Sequence, residues 1–139
     1  MKSLLLATSL IIGLGGLASA QTVTLKIETQ TNTGTMRAAV FDSQASFDTE
    51  KVVAFESIPA QQGTTVITIK NLSSGTYGIA VFQDENNDER LDQNLLGAPT
   101  EPFGFTNNPR IGFSAPKFED FKFEHDGSDQ EFSIKLNGL

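Results

Sequence analysis

The sequence contains no cysteine, no tryptophan, one histidine and one tyrosine. Without cysteine no disulfide can staple the fold, and no thiolate can ligate a metal or attack a substrate. Without tryptophan the strongest aromatic platform for sugars is missing. The lone histidine, His125, precedes Asp126 at the end of a strand-like run and reads as a solvated turn residue. No serine sits in a nucleophile elbow, no glycine-rich loop cradles phosphate, and no spacing selects a carboxylate pair. These absences point away from an enzyme.

Positive charge is also scarce, with 10 basic residues against 17 acidic ones. An acidic surface repels phosphate backbones, which argues against nucleic acid as a partner. Helical periodicity is nearly absent beyond the first 20 residues. No later hydrophobic run is long enough to span a bilayer.

The first residues, "MKSLLLATSLIIGLGGLASA", carry a basic start, an apolar stretch from Leu4 to Leu17 and a small-residue Ala18-Ser19-Ala20 end. The apolar stretch is shorter than the roughly 20 residues a spanning helix needs. This is the pattern of a secretory signal peptide over residues 1–20, cleaved before Gln21. Cleavage leaves residues 21–139, enough for one domain with one real core. Nine basic residues then face 17 acidic ones, for a net charge of −8. The expectation is a secreted or periplasmic monomer with an envelope or extracellular partner.

What the mature region does contain is alternation. In "TVTLKIET" Val23, Leu25 and Ile27 share one face, and Thr24, Lys26 and Glu28 the other. "TMRAAVFD", "KVVAFESI", "TTVITIKNL" and "GTYGIAVFQD" continue the pattern, followed after a gap by "FEDFKFEH" and "QEFSIKL". Period-two alternation between turn residues means strands. About seven strands predict an all-β fold, an antiparallel Greek-key β-sandwich. "GTYGIAVFQD" is apolar on both faces and is expected to lie centrally. "NLSSGTY" predicts a tyrosine corner in which the Tyr77 hydroxyl bonds to upstream backbone.

Between Asp84 and about Lys117 the alternation stops, and so long a loop inside a domain is usually functional or ordered by something. It begins "DENNDERLD", five acidic residues in nine. Side-chain oxygens at Asp84, Asn86, Asp88 and Asp92 fall at positions one, three, five and nine of a calcium loop, with the Arg90 carbonyl at seven. Position six is Glu89 rather than glycine, and position twelve is Leu95 rather than glutamate. A true EF-hand is therefore excluded. A calcium loop on a β-scaffold, with Glu101 completing it from further along, stands beside a loop of Asx turns that satisfies its own backbone. A brief helical turn is expected near residues 89–96.

The segment "GAPTEPFGFTNNPRIGFSAPKF" follows, rich in glycine, proline and phenylalanine. Phe103, Phe105 and Phe113 either cover a satellite core or, with Asn107 and Asn108, present an aromatic face to a carbohydrate or peptide.

Together, "GTYGIAVFQDENNDERLDQNLLGAPTEPFGFTNNP" and "GFSAPKFEDFKFE" resemble a bacterial exported family, domain of unknown function 2141. The resemblance implies an immunoglobulin-like or transthyretin-like sandwich. It places the family's acidic loop on Asp84, Asn86, Asp88 and Asp92. Its aromatic segment falls on Glu101, Phe103, Gly104, Phe105, Asn107 and Asn108. Asp88-Glu89 stands where Asn-Gly is common in the family, Thr106 where serine is, and Phe121 where alanine is.

Overall fold

The computed structural model describes residues 22–137, so the expected signal peptide lies outside the described residues. Among the described residues, eight strands form two sheets. One sheet runs β4 (Gly63–Ile69), β1 (Val23–Thr29), β8 (Gln130–Lys135). The other runs β3 (Ala54–Pro59), β2 (Thr35–Phe41), β5 (Gly75–Asp84), β6 (Phe103–Phe105), with β7 (Lys122–His125) also paired to β5.

Val23, Leu25, Ile27, Ile67, Ile69 and Ile134 from the first sheet pack with Met36, Ala38, Val40, Ile79 and Val81 from the second. The alternation read from the sequence is thus the inner face of a β-sandwich. The Tyr77 hydroxyl donates to the Ser73 carbonyl at 2.8 Å, as the predicted corner requires.

The detail departs from expectation in four places. β1 and β8 pair in parallel, so the first sheet is mixed rather than antiparallel. β6, only three residues long, was too short for alternation to reveal. "FEDFKFEH" is not one strand: Phe118–Phe121 forms a helical turn, α2, and only Lys122–His125 extends. A strand would point Phe118 and Phe121 to opposite faces; the turn brings both, three residues apart, into one apolar cluster. A second short helix, α1 (Gln44–Asp48), is capped by Ser43, whose hydroxyl accepts from the Ser46 N–H at 3.0 Å.

β5 is apolar on both faces because each covers a core. Its inner face meets the sandwich. Its outer face, through Gly78 and Ala80, meets a second cluster of Phe41, Phe105, Phe118 and Phe121, with Phe47, Phe103 and Ile111 against it. The rings stack edge to face or tilted, at centroid distances such as 5.0 Å for Phe47–Phe121 and 4.9 Å for Phe105–Phe121. This is the satellite core expected of the long loop, built on the sheet's outer face.

The edge of β5 is shared between β7, opposite Gly75–Gly78, and β6, opposite residues 80–82. Thr106 closes the break. Its hydroxyl accepts from the Ile79 N–H at 3.2 Å and donates to the Phe121 carbonyl at 2.5 Å, while its N–H donates to the Ile79 carbonyl at 3.0 Å. Thr106 is fully buried. Thr106→Val should therefore orphan a buried donor and acceptor and destabilise the fold by about 2 kcal/mol, while Thr106→Ser keeps the hydroxyl and loses little. Equal urea midpoints for the two variants would refute the stitch.

His125 is not a solvated turn residue but is buried. Its two ring nitrogens face the Leu72 carbonyl at 3.0 Å and Gln130 Oε1 at 2.5 Å. It joins the turn before β5 to β8, a structural role.

Candidate cation site in the acidic loop

The acidic loop starts where β5 ends. Asp84 is the last residue of β5, opposite Thr35 on β2, and its carboxylate lies on the outer face. Strand register brings Arg37 to it: Nε donates to Asp84 Oδ2 at 2.8 Å. Asp84 is fully buried, and Arg37 is nearly so. The same carboxylate accepts the Asp88 N–H at 3.2 Å on Oδ1 and the Glu89 N–H at 2.8 Å on Oδ2. The loop is therefore wound around Asp84.

Two residues take left-handed backbone to make that winding, Asn87 at φ 55° and Glu89 at φ 66°. Asparagine tolerates this well; for glutamate it costs on the order of 1–2 kcal/mol. Glu89 thus adopts the conformation for which a calcium loop uses glycine. Gly34, at φ 74°, lets the β1–β2 turn approach: a Cβ there would sit 2.0 Å from the Asp84 carbonyl oxygen.

Glu101 closes the site from the far end of the loop. It is buried. Its Oε2 accepts the Glu85 N–H at 2.6 Å and its Oε1 the Asp92 N–H at 3.0 Å. One carboxylate oxygen from each of Asp84, Asp88 and Glu101 comes within 4.8 Å of the other two. Asn86 Nδ2 donates to Asp88 Oδ2 at 3.4 Å and to Asp92 Oδ2 at 2.5 Å. With the amide turned over, its Oδ1 would take that place and offer a further oxygen, at the cost of the bond it now accepts from the Asp88 N–H at 3.3 Å. Arg90 enters through its backbone N–H, which donates to Asp88 Oδ1 at 2.9 Å.

These close carboxylates disturb one another. The Arg90 N–H beside Asp88 holds that carboxyl below the usual aspartate range. Asp92 is pushed up, chiefly by the Asp88 carboxylate competing for the same proton, with burial adding to it. Loss of a proton from Asp92 therefore occurs at higher pH than for an ordinary aspartate. The pocket of negative charge is complete only above that range.

The structure brings together Asp84, Asn86, Asp88, Asp92 and Glu101. The predicted Arg90 carbonyl is not among them, Arg90 contributing its N–H instead, and the four residues predicted for the aromatic face are engaged elsewhere. Phe105 is buried and Phe103 half-buried in the phenylalanine cluster. Asn107 Nδ2 donates to the Lys122 carbonyl at 2.8 Å. Asn108 Nδ2 donates to the Ser133 carbonyl at 2.9 Å, and its Oδ1 accepts the Lys135 N–H at 2.9 Å, mimicking a strand beside β8. Phe113, grouped with the buried phenylalanines by sequence, is fully exposed. Arg37 was missed altogether. Its only sequence signal is a cation on the outer side of an apolar strand.

Beyond the acidic run no helical turn forms near residues 89–96. Residues 92–100 make a hairpin instead. Gln93 and Pro99 form a bridge, the Thr100 N–H donates to the Asp92 carbonyl at 2.7 Å, and the Asn94 N–H to the Ala98 carbonyl at 2.8 Å. Asn94 Oδ1 caps the tip by accepting the Leu96 and Ala98 N–H groups.

The fold and loop define a class: an all-β sandwich with an acidic loop wound on a buried aspartate. The chain belongs to DUF2141, a family of uncharacterized proteins conserved in bacteria, whose model matches residues 26–133. No curated protein and no solved structure matches it.

Proposed function

We propose that this protein is an exported, non-enzymatic β-sandwich module whose acidic loop holds a calcium ion. The ion orders residues 93–116 as a partner-binding surface. The carrying observation is the convergence of Asp84, Asp88 and Glu101 oxygens within 4.8 Å, two of the three residues being buried. Calcium takes roughly six to eight hard oxygens from flexible loops. Asp84, Asp88 and Glu101 would hold it, with Asp92 and the Asn86 oxygen beside them. The group would supply positive charge and cross-linking, not catalysis. The leader read in residues 1–20 supports an extracytoplasmic site of action. The engagement of Phe105, Asn107 and Asn108 within the fold favours this reading over a sugar- or peptide-binding aromatic face.

The test is a thermal melt of chelator-stripped protein titrated with calcium at neutral pH. At a free concentration ten times Kd, binding adds about 1.4 kcal/mol. For a domain of this size that raises Tm by about 5 °C. Asp88→Asn, at an exposed position, should fold normally and lose most of the response. A flat titration of the wild-type protein would remove the cation site.

A further inference from the structure

The hairpin that rises from the acidic site ends in two exposed leucines. Leu95 and Leu96 are as exposed as in an extended chain, at 106% and 94%. Their display is not a loose end, because the stem hydrogen bonds, the Asn94 cap and Gly97 at φ 82° fix the turn. Residues 93–100, "QNLLGAPT", carry no charge, whereas Asp92 and Glu101 at the two feet of the stem are both acidic. The Asp92 N–H donates to Glu101 Oε1, so the feet of the hairpin are part of the carboxylate cluster.

We propose that this tip inserts into the interface of a bilayer bearing anionic phosphate headgroups. The inference rests on the calcium reading above. Leu95 lies three residues along the stem from Asp92, about 10 Å at strand rise. That matches the roughly 5–10 Å to which interfacial apolar elements sink. The carboxylates then lie at headgroup depth, where phosphate would repel them. A divalent ion held by Asp88 and Glu101 turns that repulsion into attraction, since one cation faces carboxylate on one side and phosphate on the other. The net acidic chain makes the contact conditional on the ion.

The absence of tryptophan supplies the probe, because Leu96→Trp places the sole indole at the tip. Its emission is followed on adding vesicles of phosphatidylcholine containing about one-third phosphatidylglycerol. The expected result is a blue shift in calcium that chelator abolishes. Sedimentation of otherwise wild-type protein with the same vesicles should fall by about 100-fold for Leu95→Ser/Leu96→Ser. A calcium-dependent rise in Tm with no blue shift would overturn membrane insertion and leave the calcium site standing; a protein socket would then be the leucines' partner. A blue shift equal with and without chelator would overturn the bridging role of the ion. No Tm response and no shift would remove both readings.

Discussion

Phe121→Ala should be among the most damaging substitutions in the protein, lowering stability by about 3–5 kcal/mol. At this size that is a fall in Tm of about 12–20 °C. Phe121 is the largest fully buried side chain and contacts Phe47, Phe105 and Phe118. Its ring also fills the space above Gly78, where a Cβ would lie 2.5 Å from ring carbon Cε2. Gly78→Ala alone should destabilise by overpacking. In the Phe121→Ala background the same change meets only the Phe118 ring, with Cε2 at 3.1 Å, so most of its cost should be lost. A double-mutant cycle read by urea unfolding checks this; additive effects would show that Gly78 is required for another reason.

That phenylalanine core shows where the sequence was legible and where it was not. Strands β1, β2, β4, β5 and β8 were readable because alternation is local and one face of each is buried. The central place of β5 followed from its two apolar faces. The partners of its outer face did not follow. Phe41, Phe47, Phe105, Phe118 and Phe121 come from four separate elements, and only the folded loop brings them together. Phe113 has the same chemistry and is left in solvent. The three-residue spacing of Phe118 and Phe121 was visible, but alternation across Phe121 and Phe123 competed with it. Tertiary packing on Gly78 decides for the helical turn.

The acidic loop divides in the same way. The odd-numbered spacing of Asp84, Asn86, Asp88 and Asp92 was a local signal, and Glu101 was reachable as a residue returning from further along. The Asn107-Asn108 pair was grouped with the aromatic segment as candidate ligand contacts. Its side chains instead satisfy strand backbone at Lys122, Ser133 and Lys135, a role that depends on where those strands lie. Arg37 was invisible for the same reason. It meets Asp84 only through the register of β2 on β5, across 47 residues of chain.

Arg37→Met should therefore have an effect comparable to that of Phe121→Ala, but one that calcium alters. Removing one partner of a buried ion pair leaves the other charge uncompensated, at about 3–5 kcal/mol. Asp84 would keep the Asp88 and Glu89 N–H groups and lose the charged donor that Arg37 supplies. A calcium ion beside Asp84 replaces the missing positive charge. It also no longer competes with a guanidinium for the same oxygen, Oδ2. The variant should consequently bind calcium more tightly than wild type, with a larger rise in Tm at saturation. Its deficit should shrink by at least about 1.4 kcal/mol, corresponding to a tenfold gain in affinity. Arg37→Lys, which keeps the charge but not the fixed donor geometry, should fall between the two. Melts of all three proteins, with chelator and with saturating calcium, separate the cases. If the Arg37→Met deficit is the same in both conditions, the ion does not sit against Asp84. The loop's winding around that carboxylate would then be explained by Arg37 and the backbone alone.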